Sequence, residues 1–95
     1  MEELPESATV VATESALATT IDGEAVILET DSGMYFGLNE VATDIWEQIQ
    51  TQQTVQSLQD GISQQYAVTP EQCEQDLETV LRTMEQKELI TIEGA

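Results

Sequence analysis

Two hydrophobic periods divide the chain near residue 39. Before it, apolar residues come in short β-prone runs; after it, they recur at intervals of three and four. Residues 9–13 (Thr-Val-Val-Ala-Thr) are β-prone, and 16–21 extend the same strand after an irregular step at Glu14-Ser15. Asp22-Gly23 is a strong hairpin signal leading into a strand at 24–29, and Thr30-Asp31-Ser32-Gly33 has the small polar composition of a second tight turn. A third strand follows at 34–38, with Met34, Phe36 and Leu38 on one face and Tyr35 and Gly37 on the other. The spacing thus predicts a three-stranded antiparallel meander whose last strand is an edge unless the first wraps around to cover it.

Asn39 is a suitable N-cap for a helix over 40–50, in which Val41, Ala42, Ile45, Trp46 and Ile49 share a face. After a connection at 51–53, Thr54 caps a second helix with Val55, Leu58 and Ile62 buried, ending at Tyr66-Ala67-Val68. Gly61 weakens it by about 1 kcal/mol relative to alanine. Thr69-Pro70-Glu71-Gln72 predicts a capping box with proline at the first helical position, opening a third helix that buries Leu77, Val80, Leu81 and Met84. Leu89, Ile90 and Ile92 form a short apolar closing segment. Three strands followed by three helices give an α+β fold, the helices covering one face of a small antiparallel sheet. Residues 1–8, with Pro5 and three glutamates, read as a disordered tail, and 9–93 as the single domain.

Charge changes the picture more than composition does. Nineteen acidic residues against two basic ones give a formal −17. Such a surface repels phosphate backbones and anionic lipid, and Arg82 and Lys87 make no basic patch, so nucleic acid and membrane surfaces are excluded as partners. The acidity suits high solubility, a basic partner or a salt-rich setting, and composition does not choose among them. No apolar run approaches the length that spans a bilayer, no signal peptide is evident, and a single cysteine forms no internal disulfide; a cytoplasmic location is the expectation.

Candidate chemistry is sparse. The chain has no histidine, which removes the commonest general base and metal ligand. Cys73 lies among Glu71, Glu74 and Asp76, which disfavour a thiolate, so it is expected to be a packed thiol rather than a nucleophile. Asp22, Asp31 and Asp44 lack the spacing of a calcium loop, and no glycine-rich phosphate loop occurs. No enzyme, metal or cofactor is indicated. What remains is geometry: a strand edge at 34–38 either accepts an extended peptide as an added strand or is shielded by the third helix. Gly37 either makes a bulge that turns the chain into the helix or admits close approach of another backbone.

Asp31-Ser32-Gly33-Met34-Tyr35-Phe36-Gly37-Leu38-Asn39-Glu40, with Ile45-Trp46 following, resembles the PqqD-like family. So do Thr54-Val55, the stretch from Tyr66 to Glu71, and the series Leu77, Leu81, Met84, Leu89-Ile90; the likeness covers residues 24–92. Members are recognition elements for ribosomally made, post-translationally modified peptides, with a winged-helix-like fold. The resemblance implies that the leader of a precursor peptide adds as a strand along Met34, Tyr35, Phe36, Gly37 and Leu38. Cleft-facing helix residues would lie among Cys73, Asp76, Leu77, Val80, Thr83, Met84 and Lys87. The length is similar to that of the discrete leader-binding proteins of lasso-peptide clusters, which work beside a leader peptidase and a macrocyclising synthetase; service to a radical-SAM maturase, as in pyrroloquinoline quinone assembly, is the alternative within the family. A winged-helix-like regulatory domain that binds no leader is the reading from another class, and pairing of two copies through the bare edge stays open. Glu88 replaces the family's usual glycine before the closing Leu-Ile, so a different turn is expected there.

Overall fold

The computed structural model of the protein describes residues 4–66 and 69–94. Residues 1–3 of the expected tail, residues 67 and 68 at the expected end of the second helix, and residue 95 lie outside them. The elements run β1 (Thr9–Ala12), β2 (Ala16–Ile21), β3 (Glu24–Glu29), β4 (Met34–Gly37), α1 (Glu40–Gln48), β5 (Gln53–Thr54), α2 (Val55–Gln65), α3 (Pro70–Gln86) and β6 (Ile90–Glu93).

The α+β architecture and the meander β2–β3–β4 followed by three helices are as expected, but the first strand is not what local pattern suggested. Residues 9–12 do not extend β2. They form the centre of a second sheet ordered β5–β1–β6, with Thr9 opposite Glu93 and Ala12 opposite Ile90. The irregular step at 14–15 is where the chain changes sheets: the Thr13 amide and hydroxyl both donate to the Leu89 carbonyl, while the Ser15 carbonyl accepts from the Thr30 amide. The closing apolar segment is therefore β6, and Gln53, expected in a connection, pairs with Val10.

Residues 4–8 also correct the expectation of a disordered tail. Leu4 and Ala8 are buried. The Ala8 carbonyl accepts from the Val55 amide at 2.9 Å, and the Glu6 carbonyl from the Gln56 amide at 3.1 Å. The first amides of a helix have no partner within it, and this arm satisfies two of them while the Thr54 hydroxyl accepts from Ser57.

The other caps follow the sequence closely. Asn39 Oδ1 accepts from the Ala42 amide, and Thr69 Oγ1 from the Gln72 amide with Pro70 at the first position. The Gln72 side chain also donates forward along the helix, from Nε2 to Asp76 Oδ1 at 2.8 Å. Ile45, Ile49, Leu58, Ile62, Leu77 and Leu81 of the helices meet Val10, Ile27 and Leu89 in one core. Val80, predicted among the buried residues of the third helix, is only half-buried.

The turn after α3 forms without glycine. Glu88 takes the left-handed conformation at φ 61°, and the Leu89 amide donates to the Met84 carbonyl. This is a Schellman closure, with Leu89 and Met84 both buried beside it. A left-handed residue bearing a Cβ is strained by about 1 kcal/mol or more. Glu88→Gly is accordingly expected to raise stability by about 0.5–1 kcal/mol after the entropy loss of glycine is subtracted. The check is a higher urea midpoint at unchanged slope.

Candidate peptide-binding site

The hairpin places β4 at the rim of its sheet. Asp22 and Gly23 both have positive φ, which closes the β2–β3 turn in register, and Gly33 at φ 73° closes the next one. Glu29 braces that second turn. Its side chain is 1% exposed and accepts from the amides of Asp31 and Ser32 at 3.1 and 2.8 Å. The Ser15 hydroxyl above all, with those amides, holds the carboxyl below the usual carboxylate range against the opposing effect of burial. The stabilisation is present above the ordinary pKa and is lost as pH falls through the lowered one.

The pairing of β4 with β3 runs without a slip from Glu29–Met34 to Val26–Gly37, and the Leu38 amide donates to the Ala25 carbonyl. In an antiparallel pair, hydrogen-bonded and non-bonded positions alternate. Residues 34, 36 and 38 therefore aim their amides and carbonyls at β3. Tyr35 and Gly37 aim theirs away from it, along an edge that no other described strand pairs with. The described residues of the N-terminal arm do not pair with this rim: Glu6 and Ala8 bond to α2, and β1 is in the other sheet. Of the two readings of Gly37, the bulge is absent, since pairing stays regular through Gly37 and Leu38. A Cβ there would meet nothing within 4 Å and φ is not positive, so the folded chain itself does not require glycine. At the end of the ladder the Thr43 hydroxyl of α1 accepts from the Ala25 amide at 2.9 Å and donates to the Leu38 carbonyl at 3.4 Å, tying the edge strand to the helix that follows.

Of the seven candidates on α3, Cys73, Leu77 and Met84 are core residues. Asp76, Val80, Thr83 and Lys87 form the accessible stripe, with only Val80 half-buried. Lys87 Nζ lies 4.9 Å from the centre of the Phe36 ring, a cation–π contact that joins the end of α3 to the inner face of β4. Met34 and Tyr35 are largely exposed, and Phe36 and Leu38 half-buried. Near Asp76, at the other end of the stripe, an apolar cavity of about 90 Å³ opens between the helices. Val41, Ile45, Ile62 and Tyr66 line it together with Cys73 and Leu77.

Sequence reading missed the part that α1 and α2 play in this cavity. Val41 and Ile45 were legible as a helical face, but nothing local marks Val41 as its half-open margin. Tyr66 is held by its hydroxyl, which donates to Asp44 Oδ2, and Gln65 Nε2 donates to the same oxygen. Cys73 lines the cavity and is 3% exposed, and burial first and the charges of Asp76 and Asp60 next push its thiol up, away from a thiolate. Among the described residues no helix is long and apolar enough to cross a membrane.

An edge strand, the Lys87–Phe36 contact that joins it to the end of α3, and an apolar cavity between the helices thus lie on a winged-helix-like scaffold. The sequence matches the family described as "Coenzyme PQQ synthesis protein D (PqqD)" over residues 24–90, and the chain belongs to that family. Among solved structures it is similar to "TbiB1 in Complex with the TbiA(beta) Leader Peptide", at 32% identity and a TM-score of 0.80, with 90% of this chain and 96% of that one covered. It shares the fold of "Lasso peptide synthetase B1 complexed with the leader peptide" at 17% identity and a TM-score of 0.77, covering 86% and 96%. No curated protein matches.

The bond to Asp44 raises the Tyr66 pKa from 10.0 to about 12, with burial adding to it. The stabilisation from this bond is thus present below the ordinary phenol pKa and is lost as pH rises through the higher value. In a Tyr35→Phe variant, where Tyr66 is the remaining tyrosine, ultraviolet titration is expected to show phenolate forming near pH 12. Ionisation at the ordinary value would show that the bond does not hold.

Proposed function

We infer that the chain is a non-catalytic cytoplasmic adaptor. It binds the leader of a ribosomally synthesised precursor peptide as a strand added to β4 and presents it to a processing enzyme, a leader peptidase in lasso-peptide maturation. The unit that does so spans residues 9–93, with residues 4–8 packed onto it. The observation that carries this reading is the pair of outward-facing positions Tyr35 and Gly37 on an edge that no other described strand pairs with, joined to the end of α3 by Lys87 over Phe36. The TbiB1 likeness, at 32% identity to a chain solved with a leader peptide, supports it.

An added strand would receive backbone hydrogen bonds from Tyr35 and Gly37, with alternate side chains turned toward Asp76, Val80 and Thr83. Register would be set by an apolar side chain of the leader in the cavity under Val41 and Ile45, and by Lys87 over Phe36 at the far end. Nothing in this asks the adaptor to break a bond. Holding the leader raises its concentration at the enzyme, an effect of tethering.

Gly37→Pro removes one outward amide and leaves the ladder to β3 intact, since proline is tolerated on an edge where its ring faces solvent. Isothermal titration with the leader peptide of the neighbouring precursor gene is expected to show affinity reduced about tenfold or more, about 1.4 kcal/mol, with the urea midpoint nearly unchanged. Undiminished affinity would remove this edge as the site. With a formal −17 on the adaptor, basic residues flanking the leader's apolar anchors are expected, and binding should weaken as salt shortens the screening length below ~10 Å. Salt-independent affinity would leave the acidity as a matter of solubility.

A further inference from the structure

Arg82 and Lys87 are the two basic residues of the chain, against nineteen acids, and the fold treats them differently. Arg82 is ion-paired within its own helix: Nε lies 4.0 Å from Glu78 and Nη1 3.6 Å from Glu85. Lys87 closes α3 as its C-cap, and the positions one turn back that could carry such a partner are Thr83 and Met84. Strand β4, which it faces, has no charged residue from Met34 to Gly37. Among the described residues no carboxylate pairs with Lys87; its Nζ stands 4.9 Å from the centre of the Phe36 ring instead. The negative end of a helix favours a cation, but that role asks for no ring contact. The ring holds the ammonium where the end of α3 meets the edge strand, and its three donors are left for another acceptor.

We propose that Lys87 reads a carboxylate of the bound peptide: an aspartate or glutamate side chain of the leader, placed on the added strand beside Phe36. The proposal rests on the adaptor reading above and deepens it. A strand laid along β4 would cover the ammonium from the solvent side. Loss of water strengthens a charge pair that is weak when exposed, and an apolar or basic leader residue at that place would leave the cation covered and unpaired. The leader therefore carries one acidic residue at a fixed position among the basic flanks that the overall charge favours, and this residue sets the register.

The test is isothermal titration of the full chain with the leader peptide of the neighbouring precursor gene, and with versions in which each of its acidic residues is changed to the amide in turn. One such change is expected to weaken binding about fivefold, Lys87→Met to weaken it by the same factor, and the two together to cost no more than either alone. Methionine keeps a flexible apolar chain on Phe36, so a role confined to packing or to capping α3 would move the urea midpoint without coupling to any leader residue. Lys87→Glu is expected to recover affinity with a leader bearing lysine at the coupled position. Effects that multiply independently at every acidic position overturn the proposal. So does undiminished binding by Lys87→Met where Gly37→Pro abolishes it, an outcome that leaves the edge as the binding site. If the leader fails to bind the unaltered chain, the adaptor reading itself falls, and this proposal with it.

Discussion

A strand residue can offer its amide and carbonyl to one side only, and β3 divides this capacity between two neighbours. Its residues 25, 27 and 29 face β4, and 24, 26 and 28 face β2. Everything at the candidate site depends on that alternation. It turns Tyr35 and Gly37 outward and puts Phe36 inward against Lys87. A register shift of one residue would exchange these roles and bury the wrong face. Two tight turns with left-handed residues and the buried Glu29 carboxylate hold the register, and the Thr43 hydroxyl closes it at the far end.

The helical half was legible because its signals are local. Asn39, Thr54 and Thr69 each cap the helix their position implies, and Pro70 stands where a fixed φ helps. The β2–β3–β4 meander was legible for the same reason, since Asp22-Gly23 and the 30–33 loop specify their own turns. The second sheet was not. Its partners, Thr9 and Glu93, are at opposite ends of the chain, and pairing at that separation leaves no period or turn residue to read. The order of residues 4–8 escaped in a similar way. Their role is to accept from α2 amides, a demand set by another element.

At the site, strand candidates were easier to identify than helix candidates. Alternation alone separates Met34, Phe36 and Leu38 from Tyr35 and Gly37. On α3, Cys73, Leu77 and Met84 proved to be core while Asp76, Val80, Thr83 and Lys87 form the open stripe. Both sets have helical spacing, and only the position of α2 decides which faces inward. Glu88 shows the reverse error: a missing glycine suggested a different turn, yet the buried Leu89–Met84 closure holds a glutamate in the left-handed region.

Thr9 is paired with Glu93 in the sheet that does not contain β4. The strands that open and close the stretch 9–93 are thus neighbours in one sheet, while the rim beside Gly37 belongs to the other. A unit whose entry and exit adjoin can be spliced into a longer polypeptide, or tethered from either end, without threading a linker across the groove. The pairing of Thr9 with Glu93 makes this stretch portable, and joining it to another polypeptide is a matter of linker length rather than of redesign.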